Sequence, residues 1–403
     1  MQKQKPIKRE FIALMAALMS LVALSIDAML PALPEIGEYL GVTDLTKNQQ
    51  LITMIFLGLG FGQLIFGPLS DSFGRKLMVY FGFIIFVVAS IVCVTTKSFE
   101  LMIIGRVFQG IGLASPRSVS IAMIRDSYSG DYMAKVLSIV VMFFILIPVV
   151  APALGQVLLH LLNWKAIFNV NLIISAIILI WFWKRQPETL SAAHRKPFSL
   201  KRYITSAKDF FTHKAAVAFT LASGFISGSF MVYLSTSQQI FQDQYGLGDL
   251  FPYFFAIIAI AVGSATYLNS RLVVQFGSMR IAYIATLAYF LISLLYVIIF
   301  YNSANPNIYI LLAFFLFQFF AVGLLFGNLR ALAMEPLGHI AGMGSAINGF
   351  ISTIMAVPIA NYIGSYVKTS VLPLFVGFSV FGLLTLLVFM YLQQDKNIKI
   401  TKA

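Results

Sequence analysis

The sequence predicts an all-α membrane protein of twelve spanning helices arranged as two six-helix bundles, and three observations carry that expectation. The 403 residues are 59% hydrophobic and 11% charged, with a mean hydropathy of +0.88, against roughly 25% charge in an ordinary soluble domain. Apolar runs of about 20 residues, the length that crosses a hydrocarbon core, recur from end to end. The longest charged stretch divides those runs six and six.

In order, the first six runs cover 11–30, 51–69, 77–95, 99–124, 136–159 and 166–183, and the second six cover 215–236, 251–270, 281–301, 308–332, 342–366 and 374–391. The expected organisation is therefore a first bundle over 1–183, a linker over 184–214 and a second bundle over 215–403. Lys3, Lys5, Lys8 and Arg9 precede the first run in the manner of a signal peptide. No small-residue cleavage site follows, so the run reads as a retained helix. Cys93 is the only cysteine, which excludes an internal disulfide and a cysteine-built metal cluster.

Of the 28 Lys and Arg, 22 fall in the N-terminal tail, the loops on its side, the linker and the C-terminal tail. Only Lys47, Lys97, Lys165 and Lys368 fall on the opposite side. The positive-inside rule then puts both termini in the cytoplasm, as an even number of spans also requires. The net charge of +13 is accordingly a topology signal with affinity for anionic lipid headgroups, not a nucleic-acid footprint.

Charge inside the membrane is the functional signal. Asp27 is the only acid well inside an apolar run, where a carboxylate costs roughly 2.5–3.5 kcal/mol on insertion scales. Arg106 and Arg117 lie in the fourth run. Arg106 is about 7 residues, or roughly 10 Å, from the outer end of its helix, a depth similar to that of Asp27. At 100° per residue, Arg106 and Arg117 point within about 20° of each other. Arg117 reads either as the anchor of an anionic substrate or as a side chain snorkelling toward the headgroups. Gln109 is the further polar member of that run and a candidate to line the substrate cavity.

An internal repeat is faintly visible. Gly67-Pro-Leu-Ser-Asp-Ser-Phe-Gly-Arg-Lys76 follows the second run, and Asn269-Ser-Arg-Leu-Val-Val-Gln-Phe-Gly-Ser278 follows the eighth. GPLSDSFGRK resembles the loop signature of the major facilitator superfamily, with Ser72 where Arg is common. In the fourth run, Gly105-Arg-Val-Phe-Gln-Gly110 resembles that family's Arg-x-x-Gln-Gly motif. Pro148-Val-Val-Ala-Pro-Ala-Leu-Gly155 resembles the motif of drug:proton antiporters, with Ala151-Pro152 in place of the usual Gly-Pro. Asp27-Ala-Met-Leu-Pro-Ala-Leu-Pro34, Ile124-Arg-Asp126, Asn163-Trp-Lys-Ala-Ile-Phe168, Pro187-Glu-Thr189 and Glu335-Pro-Leu-Gly-His-Ile-Ala-Gly342 occur in the order and spacing of Bcr/CflA-type bicyclomycin- and chloramphenicol-resistance efflux proteins.

The resemblance implies the major facilitator fold, a multi-pass bacterial inner-membrane monomer, and export of small amphipathic molecules in exchange for protons by alternating access. It also implies a cytoplasmic latch of Gly67, Asp71, Gly74, Arg75 and Lys76 with Arg125 and Asp126, an antiporter motif of Pro148, Pro152 and Gly155, and a cavity lined by the first and fourth helices. Gly67 and Gly74 are expected to permit a tight turn with close helix approach. An Asp27–Arg106 pair would then couple protonation to conformation. Its bland alternative is a permanent ion pair that fixes packing. One acid and two arginines also admit a second reading, a proton-coupled carrier of a polycarboxylate such as a siderophore or organic acid.

The second half supplies Ser223, Ser227, Tyr233 and Gln238 on the seventh helix, Gln318 and Asn328 on the tenth and Asn348 on the eleventh. These can orient a substrate in an apolar cavity or serve as ordinary interhelical contacts. His160, His194, His213 and His339 show no metal-ligand spacing, and neither metal nor cofactor is expected. No Walker loop, zinc pair or nucleophile with a base is present, so an enzyme is not expected.

Overall fold

The computed structural model describes residues 9–42, 44–191, 195 and 199–394, and among them there is no strand. Ten stretches are long and apolar enough to cross a membrane. One of these, Ile308–Gly364, is two helices joined by a 3-10 turn, and Phe99–Ser127 is a further long helix whose charges lower its hydropathy. The twelve helices are α1 Arg9–Asp27, α2 Gln50–Phe73, α3 Arg75–Thr95, α4 Phe99–Ser127, α5 Gly130–Leu161, α6 Trp164–Arg185, α7 Lys214–Gln238, α8 Phe251–Phe276, α9 Ser278–Phe300, α10 Ile308–Met334, α11 Ala341–Gly364 and α12 Leu372–Gln394. The chain divides into two compact units, Met1–Leu200 and Lys201–Ala403.

Helix ends follow local chemistry. Ser98, Asn163 and Asn307 cap α4, α6 and α10 by accepting backbone N–H bonds. Gly74 (φ 103°) and Gly277 (φ 77°) make the turns from α2 to α3 and from α8 to α9. Both backbone angles favour glycine, and they stand at equivalent places in the two repeats. Gly67, by contrast, lies inside α2 with open space where its Cβ would be. It makes neither the turn nor the close approach expected of it, because Gly74 alone ends the helix.

In the first unit α4 is the central helix, packed on α1, α2 and α3. Its contact with α2 is close because a Cβ on Gly58 would meet the Val107 carbonyl and one on Gly110 the Ile55 carbonyl. Small residues let membrane helices approach in this way. Ser115 Oγ adds a 2.6 Å bond from α4 to the Met78 carbonyl of α3. The second unit repeats the pairing: α7 packs on α11 as α1 does on α5, α8 on α10 as α2 does on α4, and α9 on α10 as α3 does on α4. Its core is aromatic, with Tyr233 against Phe255, Phe315 and Phe319. Outward faces carry exposed apolar side chains such as Ile84, Phe108, Ile177, Ile298 and Phe317, as a hydrocarbon solvent requires.

Candidate functional site

The site grows out of a break in the first span. Pro31 has no N–H to offer the carbonyl four residues earlier, so regular helix stops at Asp27. The chain re-forms as the 3-10 turn Leu30–Ala32 and the short helix Leu33–Tyr39. Asp27 is thereby set at a helix end and is only 4% exposed. It makes no hydrogen bond or ion pair with the described residues.

Arg106, 1% exposed on α4, does not form the expected ion pair with Asp27. Its Nε donates to the Leu51 carbonyl at the start of α2 at 2.7 Å. Nη1 donates to Gln109 Oε1 at 2.9 Å, and Nη1 and Nη2 both reach the Ser25 carbonyl, at 3.4 and 3.5 Å. The physical reason is that Ser25 belongs to the last turn of α1, where carbonyls lack intrahelical donors. A guanidinium can satisfy such a carbonyl and tie three helices at once. It grips α1 two residues before Asp27.

Gln109 is also buried and is bonded at both ends of its amide, its Nε2 donating to Ser90 Oγ on α3 at 2.7 Å. It joins α3 to α4, although its place in the run suggests a cavity-lining side chain. On the other flank, a Cβ on Gly155 of α5 would meet the Ala28 carbonyl. The antiporter-like motif therefore packs against the residue after Asp27. Pro148 and Pro152 lie within α5 without dividing it.

The latch residues form a second cluster. Arg75, at the start of α3, pairs with Asp71 at the end of α2 and with Asp126 at the end of α4, Nε to Oδ2 at 2.9 Å and Nη2 to Oδ1 at 3.3 Å. Ser70 Oγ accepts a further bond from Arg75 at 2.7 Å. Glu188 joins this cluster. Its carboxylate caps α3 by accepting the backbone N–H groups of Arg75 and Lys76, each at 3.1 Å, an anion at a helix N-terminus. Lys76 Nζ reaches the Trp183 carbonyl at 3.4 Å, and Thr189 Oγ1 donates to Asp126 at 3.0 Å. The Pro187-Glu-Thr189 motif was the available signal, although no spacing rule pairs it with residues over 100 positions away. Arg125, expected in the latch, is exposed and takes no part in it.

Asp126→Asn should cost about 1–3 kcal/mol, since it removes the charge opposite a guanidinium whose side chain is 7% exposed. The measurement is the thermal midpoint in detergent. A midpoint equal to that of the parent would show that Asp71 and Ser70 hold Arg75 unaided.

The remaining cavity candidates separate by burial. Arg117 is half-buried, its guanidinium 5.9 Å from the Phe144 ring on α5, while Arg106 is enclosed. Pro116 sits between them in α4. Gln318, Asn328 and Asn348 are interhelical contacts: to the Tyr289 carbonyl at 3.2 Å, to Asn269 at 2.6 Å and to Thr220 at 2.8 Å. Helices packed without a hydrophobic drive use amides in this way. Tyr233 is packed among the phenylalanines, and Gln238 bonds Gln242 and Asp243. Ser223 and Ser227 are half-buried, four residues apart on α7. His213 and His339, unrelated by spacing, are brought together around Asp209. His194 lies outside the described residues.

Twelve long helices in two like-folded units, with a buried acid and arginine in the first, are the architecture of a multi-pass transporter. The profile of the Major Facilitator Superfamily matches residues 15–359, and the chain belongs to that family, within it to the Bcr/CflA type. It is 30% identical to a bicyclomycin resistance protein homolog of Haemophilus influenzae, over 70% of this chain and 71% of that one. It is 27% identical to an uncharacterized MFS-type transporter of Bacillus subtilis over 89% of each. A chloramphenicol resistance protein of Pseudomonas aeruginosa is 30% identical over 64% of this chain and 61% of its own. Among solved structures, a D-xylose-proton symporter superposes with a TM-score of 0.71 at 14% identity, over 94% of this chain and 96% of that chain. The human organic anion transporter superposes at 0.70 and 18% identity, over 96% and 99%.

Proposed function

We propose that this transporter is a proton-coupled antiporter that exports small amphipathic molecules, drugs or metabolites, across the bacterial inner membrane by alternating access. In this reading 1–183 and 215–403 are its two bundles, 184–214 is a cytoplasmic linker, both termini are cytoplasmic and one chain suffices. The observation that carries it is Asp27, an acid enclosed at a break in α1 with no counter-charge among the described residues. A buried charge without a partner is costly, so a chain that keeps one there has a use for it. Asp27 takes up a proton in one state and releases it in the other. Arg106 responds through the end of α1 that it holds.

Relatives named for resistance to bicyclomycin and chloramphenicol support a neutral, amphipathic substrate. The test is transport by the full chain in proteoliposomes under an imposed pH gradient, comparing chloramphenicol with a tricarboxylate. Gradient-driven movement of the neutral drug is expected. Movement of the acid alone would replace this reading with a polycarboxylate carrier, and indifference to the gradient would remove proton coupling.

A further inference from the structure

The second unit holds a cluster that the transport reading does not use. Asp209 lies in the last turn of the linker helix Leu200–Thr212, and His213 immediately precedes α7. His339 comes from the 3-10 turn Glu335–Ile340 between α10 and α11. From 130 positions away, its Nε2 contacts Asp209 Oδ2. His213 Nε2 stands 3.7 Å from the other oxygen, Oδ1. The two rings approach edge to face with centroids 5.9 Å apart, and one donor atom from each of the three residues falls within a mutual 4.8 Å.

We infer that Asp209, His213 and His339 form a binding site for a divalent transition-metal ion of the zinc class, which would staple the linker helix to the turn between α10 and α11. One histidine bonded to one carboxylate needs no further explanation. The second imidazole does. At 3.7 Å it is beyond a hydrogen bond, yet it is aimed at the same carboxylate.

A four-coordinate ion with bonds of about 2.0–2.1 Å sets its donors about 3.3 Å apart, so donors already this close need only small side-chain rotations. Two imidazoles and a carboxylate are the nitrogen and oxygen set that suits zinc, cobalt or nickel and not magnesium or calcium. The His339 side chain is 55% exposed and Asp209 35%. Water therefore has access to the fourth position, and the ion has an entry path. Metal bound there would add a coordinate link between the linker helix, the start of α7 and the turn between α10 and α11.

The test uses the full-length, tag-free protein in detergent, titrated with Zn²⁺ against a chromogenic chelator, alongside His213→Gln and His339→Gln. One site is expected whose affinity falls at least about 10-fold in each variant, with a Zn²⁺-dependent rise in thermal midpoint confined to the parent. Affinity unchanged in both variants would overturn the site, as would a parent that takes up no Zn²⁺ at micromolar concentration. Co²⁺ added to the parent gives a second readout that requires no variant. Four-coordinate absorption bands displaced by Zn²⁺ are expected, and their absence counts against the inference.

Discussion

Asp27→Asn should bring pH-gradient-driven transport down to the level of protein-free liposomes while leaving folded protein in the membrane. The substitution is nearly isosteric and removes only the ability to change charge. Asp27 makes no hydrogen bond or ion pair with the described residues, so no native contact is broken and the fold should not suffer. An amide is in fact less costly to enclose than a carboxylate. The expected pattern is a thermal midpoint equal to or above that of the parent, with coupling lost. Asp27→Glu, which keeps a titratable group on a longer stem, should restore part of the activity. Full gradient-driven transport by the Asn variant would take Asp27 out of the mechanism.

The sequence announced the spans well because lipid imposes a simple rule on composition: about 20 apolar residues per crossing. The fourth run, read over 99–124, is α4, and its Arg106 and Arg117 are tolerated because it packs against three other helices. The break at Asp27 falls four residues before Pro31, whose missing N–H leaves the Asp27 carbonyl without its helical donor.

What linear reading could not supply was partner choice. Similar depth made Asp27 and Arg106 look like a pair, but the carbonyl of Ser25 competes for the same guanidinium, and a backbone acceptor has no signature in a sequence. The same limit hid Glu188 as the cap of α3 and Asp209 between two histidines 126 positions apart. Gln318, Asn328 and Asn348 show the converse. Amides in membrane helices serve packing or substrate equally well by type, and a sequence does not reveal the bonds that these three make to Tyr289, Asn269 and Thr220.

Arg106→Ala should be the most damaging single change to the fold. The guanidinium is enclosed and joins the start of α2, the end of α1 and Gln109. Hydrogen bonds to a charged group contribute about 1.5–3 kcal/mol each, so loss of the cluster should cost about 3 kcal/mol or more, read as a lower thermal midpoint and lower yield. Arg106→Lys should recover little, because an ammonium on a flexible stem cannot span the Leu51 and Ser25 carbonyls as a planar fork does. Here the two variants part company: Asp27→Asn keeps stability and loses coupling, whereas Arg106→Ala loses both. A double variant then tests the link between them. In the conservative pair Asp27→Glu and Arg106→Lys, which leaves transport to measure, the losses will be strongly non-additive if Arg106 senses Asp27 through the α1 terminus it holds, since either change alone already weakens the same connection. Additive losses would mean that the arginine only braces three helices and that the proton is felt elsewhere.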